Sequence, residues 1–294
     1  MKNYYRIMLG RASIYAEDAR AGSFIGAGWF SETDLTNKFP DNWREFNQKY
    51  IPIFLEQNPD RTKVAAGLAC GMLWTISKGV LIGDIVLCPD GQRNYYIGEV
   101  VSDYEYHKGT SLPHTRKVRW YEKMISRDDL SESLKNSAGA IGSVANISHF
   151  ANEIEVLISS NKPHTIISTD ENIKDADAFV MEKHLEDFLV KNWHHTDFGP
   201  KYDIYEEDGE KVGQQYPSDT GPIDILAVSK DKKEILVVEL KKGRATDVVV
   251  GQILRYMGYA KEELAEKSQT VKGVIIALEG ETGLNRALQV TKNI

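Results

Sequence analysis

The chain has 294 residues, of which 41% are hydrophobic and 27% charged, and its formal net charge is −7. This composition is typical of a globular protein long enough for two domains, each with its own core. The negative charge argues against a generally basic nucleic-acid coat but is compatible with a local basic groove. Two cysteines, Cys70 and Cys88, are too few for a disulfide framework and lack metal-ligand spacing, which suits a reducing cytoplasm.

The sequence contains no segment typical of a signal peptide or a membrane span. MKNYYRIMLGRAS at the amino terminus has no continuous apolar run. The most apolar segment, VAAGLACGMLWTIS from Val64, ends before Lys78 and is shorter than a transmembrane helix. The sequence therefore predicts a soluble, cytoplasmic protein without a membrane partner.

The first half of the chain, residues 1–147, is predicted to consist mostly of short strands. IGDIVLCPDGQRNYYIGEVVSDYEY indicates two strands around a Pro-Asp-Gly turn, and RKVRWYEK indicates a third. SRDDLSESLKNS and ISHFANEIEVLISS indicate helices. The polar composition of about 161–177 is typical of a linker, so a helix and linker are placed at 148–177.

The remainder, residues 178–294, alternates helices and strands. FVMEKHLEDFLVKNW indicates an amphipathic helix, and GPIDILAVSKDKKEILVVELKKG a strand hairpin. A helix in VVVGQILRYMGYAKEELAEK, a strand in VKGVIIALE and a helix in ETGLNRALQVTK follow. This order of elements predicts an α/β domain.

Three charged residues of this hairpin interrupt strands that are otherwise apolar. Glu239 and Lys241 are two positions apart, so their side chains leave the same face of one strand. Asp224 lies on the preceding strand, and the turn SKDKK can bring it close to both. Two carboxylates beside an ammonium group form a site for a hard cation such as Mg²⁺. Lys241 could then orient an attacking water and offset charge on a phosphate.

The pattern Asp-x14-Glu-x-Lys resembles the PD-(D/E)XK nuclease signature. The run YPSDTGPIDILAVSKDKKEILVVELKKG is similar to the catalytic region of NucS-type and Mrr-like endonucleases, and the resemblance extends over about 178–290. It implies catalytic roles for Asp224, Glu239 and Lys241. The same resemblance implies that Mg²⁺, or Mn²⁺ in its place, binds Asp224, Glu239 and the backbone carbonyl of Leu240.

Residues on either side of the hairpin extend this resemblance. Glu182 in MEKHLEDFLVKN matches a glutamate that often joins the metal site of the family, and Glu186, one turn later, could equally take that role. The alternative is that both are surface charges. Gln252 and Tyr256 match a Gln-x-x-x-Tyr element and share one helix face. The match implies a catalytic role for Gln252, with a place on the helix surface as the alternative. Lys242 and Arg244 are candidates for contact with the DNA backbone, with a solvated charge run as the alternative. The sequence departs from its relatives at Pro222, where they often carry a basic residue.

The first half carries aromatic residues among basic ones, most densely in HKGTSLPHTRKVRWYEKM. Rings that stack on unpaired bases and cations that hold the backbone are typical of base-reading surfaces, although packing in a core is the alternative for each ring. The candidates for base contact are Trp29, Tyr104, Tyr106 and Trp120. The candidates for contact with the DNA backbone are Arg116, Lys117 and Arg119.

GVLIGDIVLCPDGQRNYYIGEVVSDYEY followed by HTRKVRWYE resembles EVE-like and related PUA-superfamily domains. These are small β-barrels, some of which flip a modified base out of the duplex. The resemblance implies a mainly β, PUA/EVE-like barrel at 1–147 that reads bases. The second half is predicted to be an α/β PD-(D/E)XK nuclease domain at 178–294, with a mixed sheet flanked by helices.

Together these resemblances imply a Mg²⁺-dependent endodeoxyribonuclease that restricts foreign DNA according to a base modification. The expected partners are double-stranded DNA with a modified base and a second copy of the chain, because cutting both strands usually needs two single-site nucleases. Three alternatives remain open. They are a NucS-like repair endonuclease for mismatched or branched DNA, an RNA-directed enzyme, and a reader of nucleic acid without catalytic activity.

Overall fold

The computed structural model describes residues 2–139, 142–159, 185–207 and 211–294. The chain divides into two compact units, of which unit 1 comprises 1–54 and 69–174 and unit 2 comprises 55–68 and 175–294. The segment 55–68 therefore belongs with unit 2, although it lies in the first half of the sequence. The linker predicted at 161–177 lies outside the described residues. The function assigned to each domain stays a prediction.

Unit 1 contains a six-stranded sheet with the strand order β2-β5-β4-β3-β1-β6. Neighbouring strands are antiparallel except for β1 and β3, which are parallel. The strands are β1 (Tyr4–Ile7), β2 (Phe24–Ala27), β3 (Ile85–Pro89), β4 (Asn94–Tyr106), β5 (His114–Ser126) and β6 (Val144–Asn146).

The sheet of unit 1 is open, so the predicted PUA-like barrel is not supported. Among the described strands, β2 and β6 lie at the two ends of the path and do not pair with each other. These end strands have only 4 and 3 residues. Closing a barrel requires a continuous staggered ladder between the end strands, and strands this short offer little length for one.

Helices fill much of the remainder of the first half. They are α1 (Ala16–Gly22), α2 (Trp43–Gln57), α3 (Lys63–Trp74), α4 (Glu132–Ala138) and α5 (Ala151–Ser159). The helices α4 and α5, the β3–β4 hairpin and β5 confirm the sequence-based predictions.

The description of the first half as mostly strands was wrong, because α1, α2 and α3 were not predicted. α2 carries Pro52 in its interior, a residue that normally breaks helices. α3 is apolar on all sides and therefore lacks the helical hydrophobic period. No described helix in either unit is both long enough and apolar enough to cross a membrane.

Unit 2 is a mixed sheet with the path β11-β10-β9-β7, and β8 also pairs with β9. β10 and β11 are parallel, and the other pairs are antiparallel. The strands are β7 (Tyr202–Ile204), β8 (Gln214–Tyr216), β9 (Ile223–Ser229), β10 (Glu234–Ala245) and β11 (Thr270–Gly280). The helices are α6, described over 185–191, α7 (Val248–Tyr259), which continues as a π-helical turn (Ala260–Leu264), and α8 (Thr282–Val290). The predicted mixed α/β sheet flanked by helices is confirmed.

Side-chain alternation along β10 separates the apolar core from the charged residues. Leu236, Val238 and Leu240 join one buried cluster, which also contains Trp193 at the end of the α6 segment. Successive side chains of a strand point to opposite faces, so Glu239 and Lys241 leave the other face. The sheet core thus fixes the backbone from which both charged side chains project.

Candidate active site

The β9–β10 hairpin positions the two acidic residues predicted to bind a metal. Its antiparallel register pairs Ile225 with Val238, and Asp224 and Glu239 follow one step further along the two strands. The backbone N–H of Leu240 donates to Asp224 Oδ2 at 2.8 Å. The Asp224 side chain therefore binds the backbone of β10 directly beside Glu239.

Glu239 and Lys241 form an ion pair on the face of β10 opposite to Leu240. Lys241 Nζ donates to Glu239 Oε1 at 2.8 Å, and the side chains are 29% and 1% exposed, respectively. A carboxylate as buried as Glu239 requires a charged or hydrogen-bonding partner, because transfer of an isolated charge from water is costly. Lys241 supplies such a partner while part of its side chain stays in contact with solvent.

A third carboxylate joins the site from α6. Glu186 is only 3% exposed, and its Oε1 accepts a hydrogen bond from Gln214 Nε2 at 2.7 Å. Its Oε2 accepts one from Gln215 Nε2 at 2.5 Å, and the same nitrogen donates to Asp224 Oδ1 at 3.2 Å. Glu182 lies outside the described residues. Of the two glutamates that the sequence left open, Glu186 is the one seen at the site.

The three carboxylates influence one another electrostatically. Burial raises the pKa of Asp224 well above its usual range, and the charges of Glu239 and Glu186 raise it further. The Leu240 N–H and the Lys241 ammonium act in the opposite direction. Crowded carboxylates of this kind lose much of their mutual repulsion when a cation binds among them.

The donor set is compatible with Mg²⁺. No group of three His, Cys, Asp or Glu side chains arranged for a metal occurs in the part of the chain that the structure describes. Mg²⁺ does not need such a group, because it keeps several waters and is usually held by one or two carboxylates plus substrate phosphate. Asp224 and Glu239 fit this requirement.

Helix α7 brings Tyr256 to the same place. Gln252 Nε2 donates to Tyr256 Oη at 3.4 Å. The Tyr256 hydroxyl lies near Gly221, three residues before Asp224, since a Cβ on this glycine would be 3.2 Å from Tyr256 Oη. Burial raises the pKa of Tyr256, and the charges of Glu239 and Asp224 contribute to the increase. The hydrogen bond described for Gln252 thus goes to Tyr256, and a direct role for Gln252 in catalysis stays a prediction.

The remaining candidates of unit 2 are placed as follows. Arg244 is exposed and lies 3.6 Å from a carboxylate oxygen of Glu279. The side chain of Lys242 lies outside the described part of the structure, and the Leu240 carbonyl as a metal ligand stays a prediction. Sequence reasoning did not identify Gln214 and Gln215, because two adjacent amides in a three-residue strand carry no periodic signal.

Arg116 was predicted to contact the DNA backbone, and the structure contradicts this prediction. Arg116 is 3% exposed, and its guanidinium donates to the backbone carbonyls of Ser77, Val80 and Ser102. The buried guanidinium thus ties β5 to β4 and to residues 77–80, and these contacts hold it inside unit 1. Lys117 and Arg119 are exposed and form ion pairs with Glu105 and Glu99.

The four aromatic residues predicted to contact a base do not all lie together. The Tyr104 hydroxyl donates to Nδ1 of the buried His114 at 2.7 Å, because the other ring nitrogen of His114 donates to a backbone carbonyl. The ring of Tyr106 lies 5.4 Å from that of His114. The indole of Trp120 instead donates to the Ala19 carbonyl, and its ring packs near Tyr96. Along β5, Trp120 is roughly 20 Å from His114 at the rise of an extended strand. The pKa of His114 is lowered by burial. Trp29 precedes Phe30, whose carbonyl contacts His114, so its backbone lies near Tyr104 and Tyr106.

Residues 181–290 match the family model described as "Endonuclease NucS C-terminal domain". The matched domain is that of a nuclease, and nucleases are hydrolases. The matched segment contains every residue of the site described above. Residues 5–148 match a domain of unknown function (DUF8426).

The relatives agree with this match over part of the chain. Endonuclease NucS of Methanocaldococcus jannaschii is 32% identical over 87 residues, which are 30% of this chain and 32% of the relative. The chain thus matches about a third of the length of this curated relative.

Two solved structures also show a likeness. A repair endonuclease from Pyrococcus abyssi is 16% identical, with a TM-score of 0.29, over 68% of this chain and 62% of that chain. An EndoMS–dsDNA2 complex is 15% identical, with a TM-score of 0.30, over 70% of this chain and 60% of that chain.

Proposed function

We propose that unit 2 is a metal-dependent endonuclease that hydrolyses phosphodiester bonds of DNA. The observation that carries the proposal is the hairpin geometry, which places Asp224 and Glu239 side by side with Lys241 bound to Glu239. This geometry lies inside the segment that matches a nuclease domain. A buried acidic pair with an adjacent ammonium has no evident use in packing, since buried charges generally cost stability.

Asp224 and Glu239 would hold Mg²⁺, or Mn²⁺ in its place, with the Leu240 carbonyl as a further oxygen ligand. A bound metal would supply charge neutralisation at the phosphate and a lowered pKa of the attacking water. Lys241 would orient that water and face the negative charge that develops on the phosphate oxygens. Its hydrogen bond to Glu239 holds the ammonium beside the metal ligands before substrate arrives.

The substrate class that we propose is mismatched or branched DNA, as in NucS-like repair. The match of residues 181–290 supports this choice. Modification-dependent restriction is the second candidate, supported by Tyr104 and Tyr106 beside His114 in unit 1. The restriction candidate has less support, because the sheet of unit 1 is open and Trp120 lies far from Tyr104 and Tyr106. For either substrate, we propose a homodimer, because each copy supplies one cleavage site and two strands are to be cut.

A cleavage assay with purified full chain tests the proposal. The substrates are matched duplexes that are unmodified, mismatched, branched or modified at cytosine, incubated with Mg²⁺ or with EDTA. We expect Mg²⁺-dependent cutting of mismatched or branched DNA, abolished by Lys241→Ala and retained by Lys230→Ala, an exposed lysine in the β9–β10 turn. Cutting confined to modified duplexes would support the restriction enzyme. If folded wild-type protein with metal cuts none of them, the nuclease proposal is wrong.

A further inference from the structure

Gln215 has an unusual backbone conformation at the centre of β8. Its φ is 51°, in the left-handed region, although the residue carries a side chain. Both of its neighbours pair regularly with β9, Gln214 with Ile225 and Tyr216 with Ile223. A left-handed residue other than glycine within a strand costs conformational free energy and persists only where the surroundings enforce it.

The left-handed turn of the backbone changes where the two glutamine side chains point. In a regular strand, adjacent residues send their side chains to opposite faces of the sheet. Here the amides of Gln214 and Gln215 both reach Glu186, at 2.7 Å and 2.5 Å. The Gln215 amide also reaches Asp224 Oδ1 at 3.2 Å. Hydrogen bonds from the amide to these part-buried carboxyl groups offset the cost of the backbone conformation.

We propose that Gln215 is a positioning residue whose amide fixes Asp224 against Glu186, an inference that rests on the proposed nuclease function. One amide nitrogen carries two N–H donors, so it can bind a carboxylate of each residue at the same time. Because the amide is neutral, it orders the acidic side chains without supplying a positive charge that would compete with a metal. Partners that orient metal ligands in this way are worth about tenfold to a hundredfold in metal affinity or activity.

The variant Gln215→Gly separates this role from a merely structural one. Glycine adopts the left-handed conformation without strain, so the variant removes the amide and relieves the backbone at once. The matched control is Lys232→Gly, which relieves a φ of 60° at an exposed lysine in the β9–β10 turn. Lys232→Gly should melt at the wild-type temperature or above it. Gln215→Gly relieves the backbone but loses hydrogen bonds to Glu186 and Asp224, so it should melt close to the wild-type temperature.

The measurements are Mn²⁺ binding by electron paramagnetic resonance and the steady-state kinetics of DNA cleavage. We expect Gln215→Gly to bind Mn²⁺ about tenfold or more weakly and to lose kcat with little change in KM for DNA. Lys232→Gly should match the wild type in both measurements. The refuting result is measurable Mn²⁺ binding by the wild type and equally tight binding by Gln215→Gly. Gln215 then does not position the ligands.

A double-mutant cycle in metal-free buffer tests the contact without relying on catalysis. Unfolding free energies are measured for Gln215→Gly, Asp224→Ala and the combined variant, and residues in contact are expected to give non-additive effects. Additive effects would overturn the inference about Gln215 and would leave the proposed nuclease function untouched. Failure of wild-type protein to bind Mn²⁺ would instead overturn the proposed function, and non-additive effects would support the Gln215 contact in either case.

Discussion

Asp224→Asn should stabilise the metal-free protein while it removes metal binding and DNA cleavage. The side chain accepts a hydrogen bond from the Leu240 N–H, and an asparagine oxygen can keep this bond. Its charge, however, faces Glu239 and Glu186 in a buried setting, which raises the pKa of Asp224. A site built to bind a cation is therefore expected to be destabilising when the cation is absent.

The size of the effect follows from the neighbours of Asp224. Two like charges roughly 6 Å apart repel by about 3 kcal/mol at an effective dielectric near 20, and Lys241 offsets part of this repulsion. Asparagine also loses the bond from Gln215, worth about 1 kcal/mol. The balance is a gain of about 1–2 kcal/mol in the free energy of unfolding.

The pH dependence has a definite sign. Because the pKa of Asp224 is raised in the folded state, the folded protein binds more protons than the unfolded chain between the two pKa values. The contribution of Asp224 to stability is therefore fully present below its unfolded pKa and is lost as the pH rises through the folded pKa. The advantage of Asp224→Asn should be largest at neutral pH and shrink under mildly acidic conditions.

Urea unfolding in EDTA and in Mg²⁺ measures both effects, with hydrogen exchange of the β9–β10 amides as the local readout. Mg²⁺ should stabilise the wild type by about 2.7 kcal/mol at roughly 100 times Kd and leave Asp224→Asn unchanged. The control is Asp203→Asn, the same substitution at an exposed residue of β7. If Asp224→Asn unfolds more easily than the wild type in EDTA at neutral pH, the electrostatic reasoning is wrong.

Three further predictions concern residues that stabilise the two units. Arg116→Ala should lower the free energy of unfolding of unit 1 by about 2–3 kcal/mol in urea, because three backbone carbonyls lose a buried charged donor; an unchanged midpoint would contradict its buried placement. Ion pairs with two lysines lower the pKa of Glu234 to about 2, so its contribution, about 1 kcal/mol after solvent screening, should be lost as the pH falls from 4.5 through 2; acid titration of Glu234→Gln should lack this loss. Gly221→Ala should cost about 1–2 kcal/mol in thermal unfolding, since φ is 122° and the added Cβ would lie 3.2 Å from Tyr256 Oη; a wild-type melting temperature would refute this strain.

The sequence by itself determined the hairpin and its charged residues. Alternation along a strand is a local property, so the positions of Glu239 and Lys241 on one face follow from their spacing. The short turn restricts the register, which brings Asp224 opposite Glu239. For the same reason, the order of helices and strands in unit 2 could be predicted from hydrophobic periods and turn residues.

Tertiary structure alone decided which residues surround that hairpin. Glu182 and Glu186 share a helix face in the sequence, and only packing of α6 near β8 brings Glu186 to the site. The left-handed conformation of Gln215 has no sequence signal, because glutamine rarely adopts it without support from its surroundings.

The same limit explains the errors in unit 1. Arg116 stands among basic and aromatic residues that resemble a binding surface, yet contacts distant in sequence bury its guanidinium. Openness of the sheet depends on β2 and β6 being its end strands and too short for a closing ladder, and the order of strands in a sheet is not visible in the sequence pattern. Hydrophobic periodicity predicts which face of its own helix or strand a residue occupies. The residues that contact that face are set by packing between elements far apart in the chain.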